Sequence, residues 1–126
     1  MEPKLAPLVQ TDFSDMSKWE TLLNEVSMEN DMGFRAYIEP VSDHRFEGAT
    51  PTGVVTAYPD VSVVFIVDEK ALTTKEILCV DGENPTNVFR AKVGDLWIVE
   101  NNVSTANLLF EELMEQVGED GLLIGG

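Results

Sequence analysis

Basic side chains are missing from the last part of this chain. No Lys or Arg occurs in residues 93–126, and across all 126 residues Asp and Glu outnumber Lys and Arg by 23 to 8, for a formal net charge of −15. A field of this sign repels nucleic acids and anionic membranes, and it attracts cations over a Debye length of about 8 Å at physiological salt. The composition therefore predicts a basic protein partner, and neither a nucleic acid nor a membrane.

Thiols and imidazoles are nearly as scarce. Cys79 is the single cysteine and His44 the single histidine, which excludes an internal disulfide and any zinc site that needs several thiolates. Cys79 stands in an apolar run, where we expect a buried and unreactive thiol, and His44 stands in a polar loop, where we expect a solvated ring. There is also no glycine-rich phosphate loop. We predict a protein that is not an enzyme and that needs no cofactor.

Long hydrophobic runs are absent as well. No stretch approaches the roughly 18 apolar residues that span a bilayer, and the first residues have no apolar segment of signal-peptide length. We therefore expect a soluble, cytoplasmic protein. The length predicts one domain, and the 44% hydrophobic fraction is ample for a packed core. We expect residues 1–7 to be loosely ordered and residues 8–126 to form one acidic domain.

Apolar periodicity predicts strands that alternate with helices. Trp19, Leu22 and Val26 recur at the spacing of an amphipathic helix. The β-branched run at 61–67 indicates a central strand covered on both faces. Further strands are predicted at 8–11, 34–39, 76–80 and 86–93, and a short helix is predicted at 51–58.

The C-terminal third predicts two short helices with a bend near residues 104–107. Apolar residues recur there at alternating spacings of three and four, but Asn residues are better caps than helix interiors. Asn107 is expected to cap a second helix that begins at Leu108. The predicted fold is α/β, with an α+β variant as the alternative: a mixed sheet of about five strands, helices packed on it, and a C-terminal helical pair.

Three blocks of the sequence resemble a single family. They are Thr11–Asp15 (TDFSD), Phe34–Tyr37 (FRAY) and the block W-x-V-E-N-N-x-S-x-A-N from Trp97 to Asn107. These blocks are similar to an uncharacterised family of short acidic proteins, domain of unknown function 6924, and the likeness runs over nearly the whole chain. The resemblance implies a single coherent domain. It carries no known activity and assigns no catalytic residue.

The block from Trp97 to Asn107 has two interpretations. As a recognition site, it would use Trp97 as an apolar anchor and polar neighbours as hydrogen-bond partners; these candidates are Trp97, Glu100, Asn101, Asn102 and Asn107. As a structural element, its Trp would fill the core and its amides would satisfy the ends of the helices. We favour the structural interpretation, with a small-ligand sensor at this cluster as an alternative.

Aspartates follow three of the predicted strands, at Asp12, Asp68 and Asp81. Ligands of open α/β sheets gather beyond the carboxyl ends of strands, and carboxylates are preferred ligands of Mg²⁺. A magnesium-dependent enzyme is therefore an alternative function. Aspartate is also an ordinary turn residue, and an antiparallel meander would direct one of the three away from the others. Arg35 and Arg90 are candidates for buried partners of these acids.

The leading hypothesis is a non-catalytic interaction domain that binds a basic protein surface, as an immunity or inhibitor protein or as a mimic of nucleic-acid charge. A net charge of −15 exceeds the magnitude of about 2–8 that solubility needs in a small domain. We expect the acids near the C-terminus to supply the binding charge, with Met114 adding apolar contact; these acids are Glu111, Glu112, Glu115, Glu119 and Asp120. The sequence indicates no oligomeric state.

Overall fold

The structure, a computed structural model, describes residues 5–105 and 107–124. Its strands are β1 (Ala6–Gln10), β2 (Ile38–Val41), β3 (Val63–Val67), β4 (Glu76–Asp81) and β5 (Val88–Lys92). Its α-helices are α1 (Met16–Ser27), α2 (Pro51–Ala57), α3 (Glu69–Thr74), α4 (Leu96–Val103) and α5 (Phe110–Met114), and 3₁₀ turns occur at His44–Phe46 and Val93–Asp95. No helix in the described ranges is long and apolar enough to cross a membrane.

The strands form one mixed sheet in the order β2-β1-β3-β4-β5. Strand β1 runs parallel to both β2 and β3, whereas β4 runs antiparallel to both β3 and β5. The carboxyl ends of β1, β2, β3 and β5 therefore lie at one end of the sheet, and the carboxyl end of β4 lies at the other. The predicted α/β class, with a mixed sheet of five strands, is confirmed.

Strand β3 is the centre of the core because both of its faces are covered. Alternate side chains of a strand point to opposite faces, and all five residues of β3 are buried. Phe65 packs in the larger cluster with Trp19 and Leu22 of α1. Ile66 packs on the other face with Val54 of α2 and with Phe46. The continuous apolar run thus predicted a central strand correctly.

The helices begin at polar caps. Asp15 caps α1 by accepting the Lys18 N–H. Thr50 caps α2, which has Pro51 in its first turn, where the missing N–H of proline is tolerated. Asp68 caps α3, a helix that the sequence analysis did not predict.

Several predicted boundaries were wrong. Strand β1 begins at Ala6 rather than at residue 8, so part of the segment expected to be loosely ordered belongs to the sheet; residues 1–4 lie outside the described residues. The second strand is Ile38–Val41, not 34–39. It includes Pro40, which is tolerated because β2 is at the border of the sheet.

The C-terminal helical pair is confirmed, but its second helix starts at Phe110, two residues later than predicted. Ala106, within the predicted bend, lies outside the described residues. After α5 the chain returns to the sheet, where Arg90 N–H donates to Gly121 and the Leu123 N–H donates to Arg90. Leu123 is buried there, so this short segment covers the outer border of β5.

An ion pair between Asp68 and Arg90 joins the start of α3 to β5. Two guanidinium nitrogens donate to the two carboxylate oxygens at 3.0 and 2.6 Å, and Arg90 also donates to the Glu76 carbonyl at 2.9 Å. Burial by itself raises the pKa of Asp68, but the hydrogen bonds from Arg90 and from the Ala71 N–H, with the charge of Arg90, outweigh it and hold the pKa below its ordinary value. The prediction that Arg90 pairs with one of these acids is confirmed.

The substitution Asp68→Asn tests this pair, since Asn can still cap α3 but has no charge. We expect the free energy of unfolding at pH 7 to fall by about 1–3 kcal/mol, as for hydrogen bonds to charged groups. Because the native pKa is lowered, this contribution is complete above the unfolded pKa of about 3.9 and is lost as pH falls through the native pKa. The difference between wild type and variant in urea unfolding should therefore shrink as the pH falls from 7 to 3.

The matched control is Asp43→Asn. Asp43 also caps a helical turn and also pairs with an arginine, Arg45, but that pair is well exposed. Its loss should cost at most about 1 kcal/mol. Equal losses in the two variants, or an Asp68→Asn difference that does not change with pH, would contradict the assignment.

Candidate functional site

The three strand-end aspartates do not converge. Asp12 and Asp68 follow β1 and β3 at one end of the sheet, whereas Asp81 ends the antiparallel β4 and is paired with Val63 at the start of β3. Among the described residues, no group of three or more His, Cys, Asp or Glu side chains could hold a metal ion. The geometry therefore gives no support to the alternative of a magnesium enzyme.

Each of these carboxylates already has hydrogen-bond donors. Asp12 accepts the backbone N–H of Ser14 at 2.8 Å, and Asp68 is held by Arg90. Asp81 accepts the Glu83 N–H at 2.9 Å and the Asn87 side-chain amide at 3.2 Å. Local turns and caps account for these residues, in agreement with their ordinary structural interpretation.

The other candidate reactive side chains are a cysteine, a histidine and an arginine, and each has a defined environment. Cys79 is fully buried, and burial raises the pKa of its thiol. His44 is exposed, as expected, and its ring stacks on Phe13 with the ring centroids 4.1 Å apart. Arg35 is exposed and lies over the Tyr37 ring at 4.9 Å; the prediction that it is the buried partner of an acid was wrong.

Glu100 and Asn101 attach α4 to the segment that precedes β2. The Glu100 side chain is buried and accepts the Tyr37 N–H at 2.7 Å and the Asn101 amide at 2.9 Å. The same Asn101 amide donates to the Arg35 carbonyl at 3.0 Å. Because these contacts satisfy backbone groups that would otherwise lack partners, both side chains have a structural role.

Asn102 and Asn107 close the turn between α4 and α5. The Asn102 carbonyl accepts the N–H groups of Asn107 and Leu108. Its side-chain amide donates to the Ile98 carbonyl at 2.7 Å, and its side-chain oxygen accepts the Asn107 amide at 2.8 Å. Asn107 therefore does not cap α5 as predicted, but it does satisfy the end of α4.

Trp97 lies apart from these amides. Its ring is half-buried and stacks on Phe34, with centroids 4.8 Å apart and planes 8° from parallel. A cavity of about 180 Å³ beside the two rings is lined by neither Asn101 nor Asn102. This volume is below the roughly 300–1,000 Å³ of ordinary small-molecule pockets, so the geometry does not favour a sensor site built jointly from Trp97 and the amides.

An acidic cleft lies between the turn after β4 and the start of α5. Its volume is about 150 Å³, and three carboxyl residues line it: Asp81, Glu83 and Glu111. The remaining lining is mainly apolar and comes from the helical pair, with Val103, Leu108, Leu109 and Phe110, together with Ser62. Acids that are far apart in the sequence thus line one partly apolar cleft, which we call the acidic cleft.

Sequence reasoning singled out Glu111 for this region but missed Asp81 and Glu83 as its neighbours. The one sequence feature that indicated a special turn there is Gly82, which lies between these two acids. A Cβ atom at this position would lie 2.0 Å from the Val61 carbonyl oxygen, and the Gly82 N–H donates to Ser62. Glycine is therefore required for the turn to pack this closely, and the close packing holds the backbone of the two acids beside the cleft.

Ion pairing differs between the acids before residue 93 and the acids after it. In the described structure, ion pairs join Glu25 to Lys75, Asp43 to Arg45, Glu76 to Lys70 and Asp68 to Arg90. Of the acids after position 93, none forms an ion pair with a described residue. Glu111 and Glu115 are exposed, while Glu112 accepts the Leu109 N–H at 3.1 Å and so has a structural contact as well.

The substitution Glu100→Ala tests the link between α4 and the Tyr37 segment. It removes the buried carboxylate that accepts the Tyr37 N–H, so we expect a loss of about 1–3 kcal/mol in unfolding free energy and faster hydrogen exchange at the Tyr37 amide. The control Glu115→Ala, at an exposed position, should stay within about 0.5 kcal/mol of wild type. Unchanged exchange at Tyr37 in Glu100→Ala would contradict the link.

Comparison with known proteins identifies the family but no relative of known activity. A search of curated proteins finds no match. The family model described as a domain of unknown function, DUF6924, matches residues 5–125, which includes every element of the sheet and both C-terminal helices. The chain therefore belongs to the DUF6924 family, as its resemblance to that family predicted.

Proposed function

We propose that this protein is a non-catalytic, cytoplasmic interaction domain that binds a basic surface on a partner protein. The observation that carries the proposal is the uneven compensation of charge. Every carboxylate that forms an ion pair with Lys or Arg in the described structure lies before residue 93, whereas Glu111, Glu115 and Glu119 are exposed and have no cationic partner among the described residues. Uncompensated charge of one sign speeds association with an oppositely charged partner.

The partner that fits is a protein with clustered Lys or Arg. The exposed carboxylates carry the same sign of charge as the phosphate backbone of nucleic acids. They can therefore mimic that backbone, or they can form the contact surface of an inhibitor or immunity protein. Such partners gain much of their association rate from electrostatic steering, which salt screens. Complex formation should therefore weaken as ionic strength rises.

The positions of the cysteine and of the strand-end aspartates support a non-catalytic role. The only thiol is fully buried, and Asp12 and Asp68 are separated from Asp81 by the length of the sheet. Catalysis by carboxylates or by a nucleophile needs such groups within hydrogen-bond reach of one substrate atom. A binding function needs only the exposed charge.

Charge reversal on the C-terminal face tests the proposal. The triple variant Glu111→Lys, Glu115→Lys, Glu119→Lys should bind its basic partner at least about tenfold more weakly, because steering becomes repulsion. Tagged wild type and variant would be used to capture partners from lysate at 50 and 500 mM salt, and the affinity of each captured protein would then be measured. Capture by wild type should be lost at the higher salt.

The matched control reverses three exposed acids elsewhere, Glu29→Lys, Asp31→Lys and Glu39→Lys, and so changes the net charge equally. It should reduce affinity by less than about threefold, since distant exposed charges are largely screened. Partners that resist both high salt and the C-terminal reversal, or that respond equally to the control, would disprove the proposal.

A further inference from the structure

The acidic cleft combines two kinds of surface that suit different parts of one ligand. Leu108, Leu109 and Phe110 provide an apolar wall, while Glu83 and Glu111 are exposed carboxylates at its margin. Among the described residues, no Lys or Arg lines the cleft. An apolar group would bury surface against the wall, and an adjacent cation would meet the carboxylates.

The volume of the cleft limits what can enter it. About 150 Å³ is the size of an engineered protein cavity that holds benzene, which corresponds to a single side chain. A cofactor or a drug-sized ligand needs roughly 300 Å³ or more. The cleft itself therefore admits one side chain of a larger molecule, and a neighbouring side chain of that molecule can lie at the margin of the cleft.

Leu109 is the most exposed apolar residue in the lining of the cleft. It is 60% exposed, whereas its neighbour Phe110 is only 4% exposed and packs on Phe89 in the core. Leu109 thus leaves an apolar side chain in water next to carboxylates. Covering it would contribute favourable burial on binding.

The backbone of the turn on the acidic side of the cleft is held in place before any partner arrives. Asp81 is buried, with the Glu83 N–H and the Asn87 amide holding its carboxylate, and Gly82 packs tightly on the Val61–Ser62 backbone. A rigid surface loses little conformational entropy when it binds. The cleft therefore meets a main requirement of a specific contact, beyond long-range attraction alone.

We infer that the acidic cleft receives a basic–apolar segment of the partner protein, with an Arg or Lys side chain against Glu83 and Glu111 and an adjacent apolar side chain against Leu109. The inference rests on the proposed function, because it names the contact within the wider acidic face. Charge complementarity selects this occupant, since a nucleic acid is repelled and a neutral peptide leaves the carboxylates without a partner.

The test is an NMR titration of ¹⁵N-labelled full-length protein with the blocked peptide acetyl-Leu-Arg-Leu-amide. We expect saturable shifts at the amides of Glu83, Leu108, Leu109 and Glu111, with a dissociation constant on the order of 1 mM or tighter, as suits a ligand this small. The same peptide with citrulline in place of arginine keeps the shape but loses the charge, and it should bind at least about tenfold more weakly.

Two variants and one control locate the contact. Leu109→Ser and Glu111→Gln should each weaken the peptide by about fivefold or more, because each removes one of the two surfaces. Glu115→Gln removes an exposed carboxylate of the same region that does not line the cleft, and it should leave the dissociation constant within about twofold of wild type. The spectrum of each variant also shows whether it is folded.

The outcomes separate this inference from the function on which it rests. Weak shifts spread evenly over the acidic face, equal shifts from acetyl-Gly-Arg-Gly-amide, equal binding of the citrulline peptide, or no shifts at all would each overturn the cleft assignment. Shifts at the cleft that depend on protein concentration without peptide would instead identify a second copy of this chain as the occupant. Salt-dependent capture of a partner is compatible with any of these NMR results. If no partner is captured in a salt-dependent way, the wider proposal is refuted whatever the NMR titration shows.

Discussion

The direction of β4 determines where the functional groups of this protein lie. Only residues 68–75 separate β3 from β4, whereas a parallel crossover needs about a dozen residues or more. The short helix α3 is followed by Lys75, whose left-handed conformation (φ 62°) turns the chain directly into an antiparallel strand. This reversal separates Asp81 from Asp12 and Asp68, and it brings the turn after β4 to the C-terminal helices.

Residue patterns predicted the parts of the fold that depend on burial. The β-branched run of β3 and the stripe of Trp19, Leu22 and Val26 on α1 gave both elements correctly, since only a core position requires such uniformly apolar residues. Helix α3 was missed because it is short and half polar, and a cap at Asp68 resembles any strand-end turn. The register of β2 was misplaced because the alternation of Phe34–Glu39 is also compatible with an extended segment held by Glu100.

The candidate site was predictable in charge but not in arrangement. The surplus of acid after Val93 is visible in the composition, and Glu111 was named from it. Its proximity to Glu83 depends on the direction of β4, which no local pattern encodes, and on a close backbone approach for which the glycine at position 82 was the one local signal. With the same sequence, the amides of the Trp97 block could have pointed to solvent or to the backbone. Only the structure shows that Asn101 links α4 to the segment before β2 and that Asn102 closes the turn between α4 and α5.

The segment that runs beside β5 has a consequence for how partners can be recognised. It occupies one border of the sheet with backbone hydrogen bonds to Arg90, and at the other border Pro40 removes an N–H group from a four-residue strand. Strand addition, in which a peptide extends a sheet through main-chain contacts, is thereby disfavoured on both sides. The proposed partner would therefore be recognised through side chains, so that substitution of single surface residues can change the binding specificity while the fold stays the same.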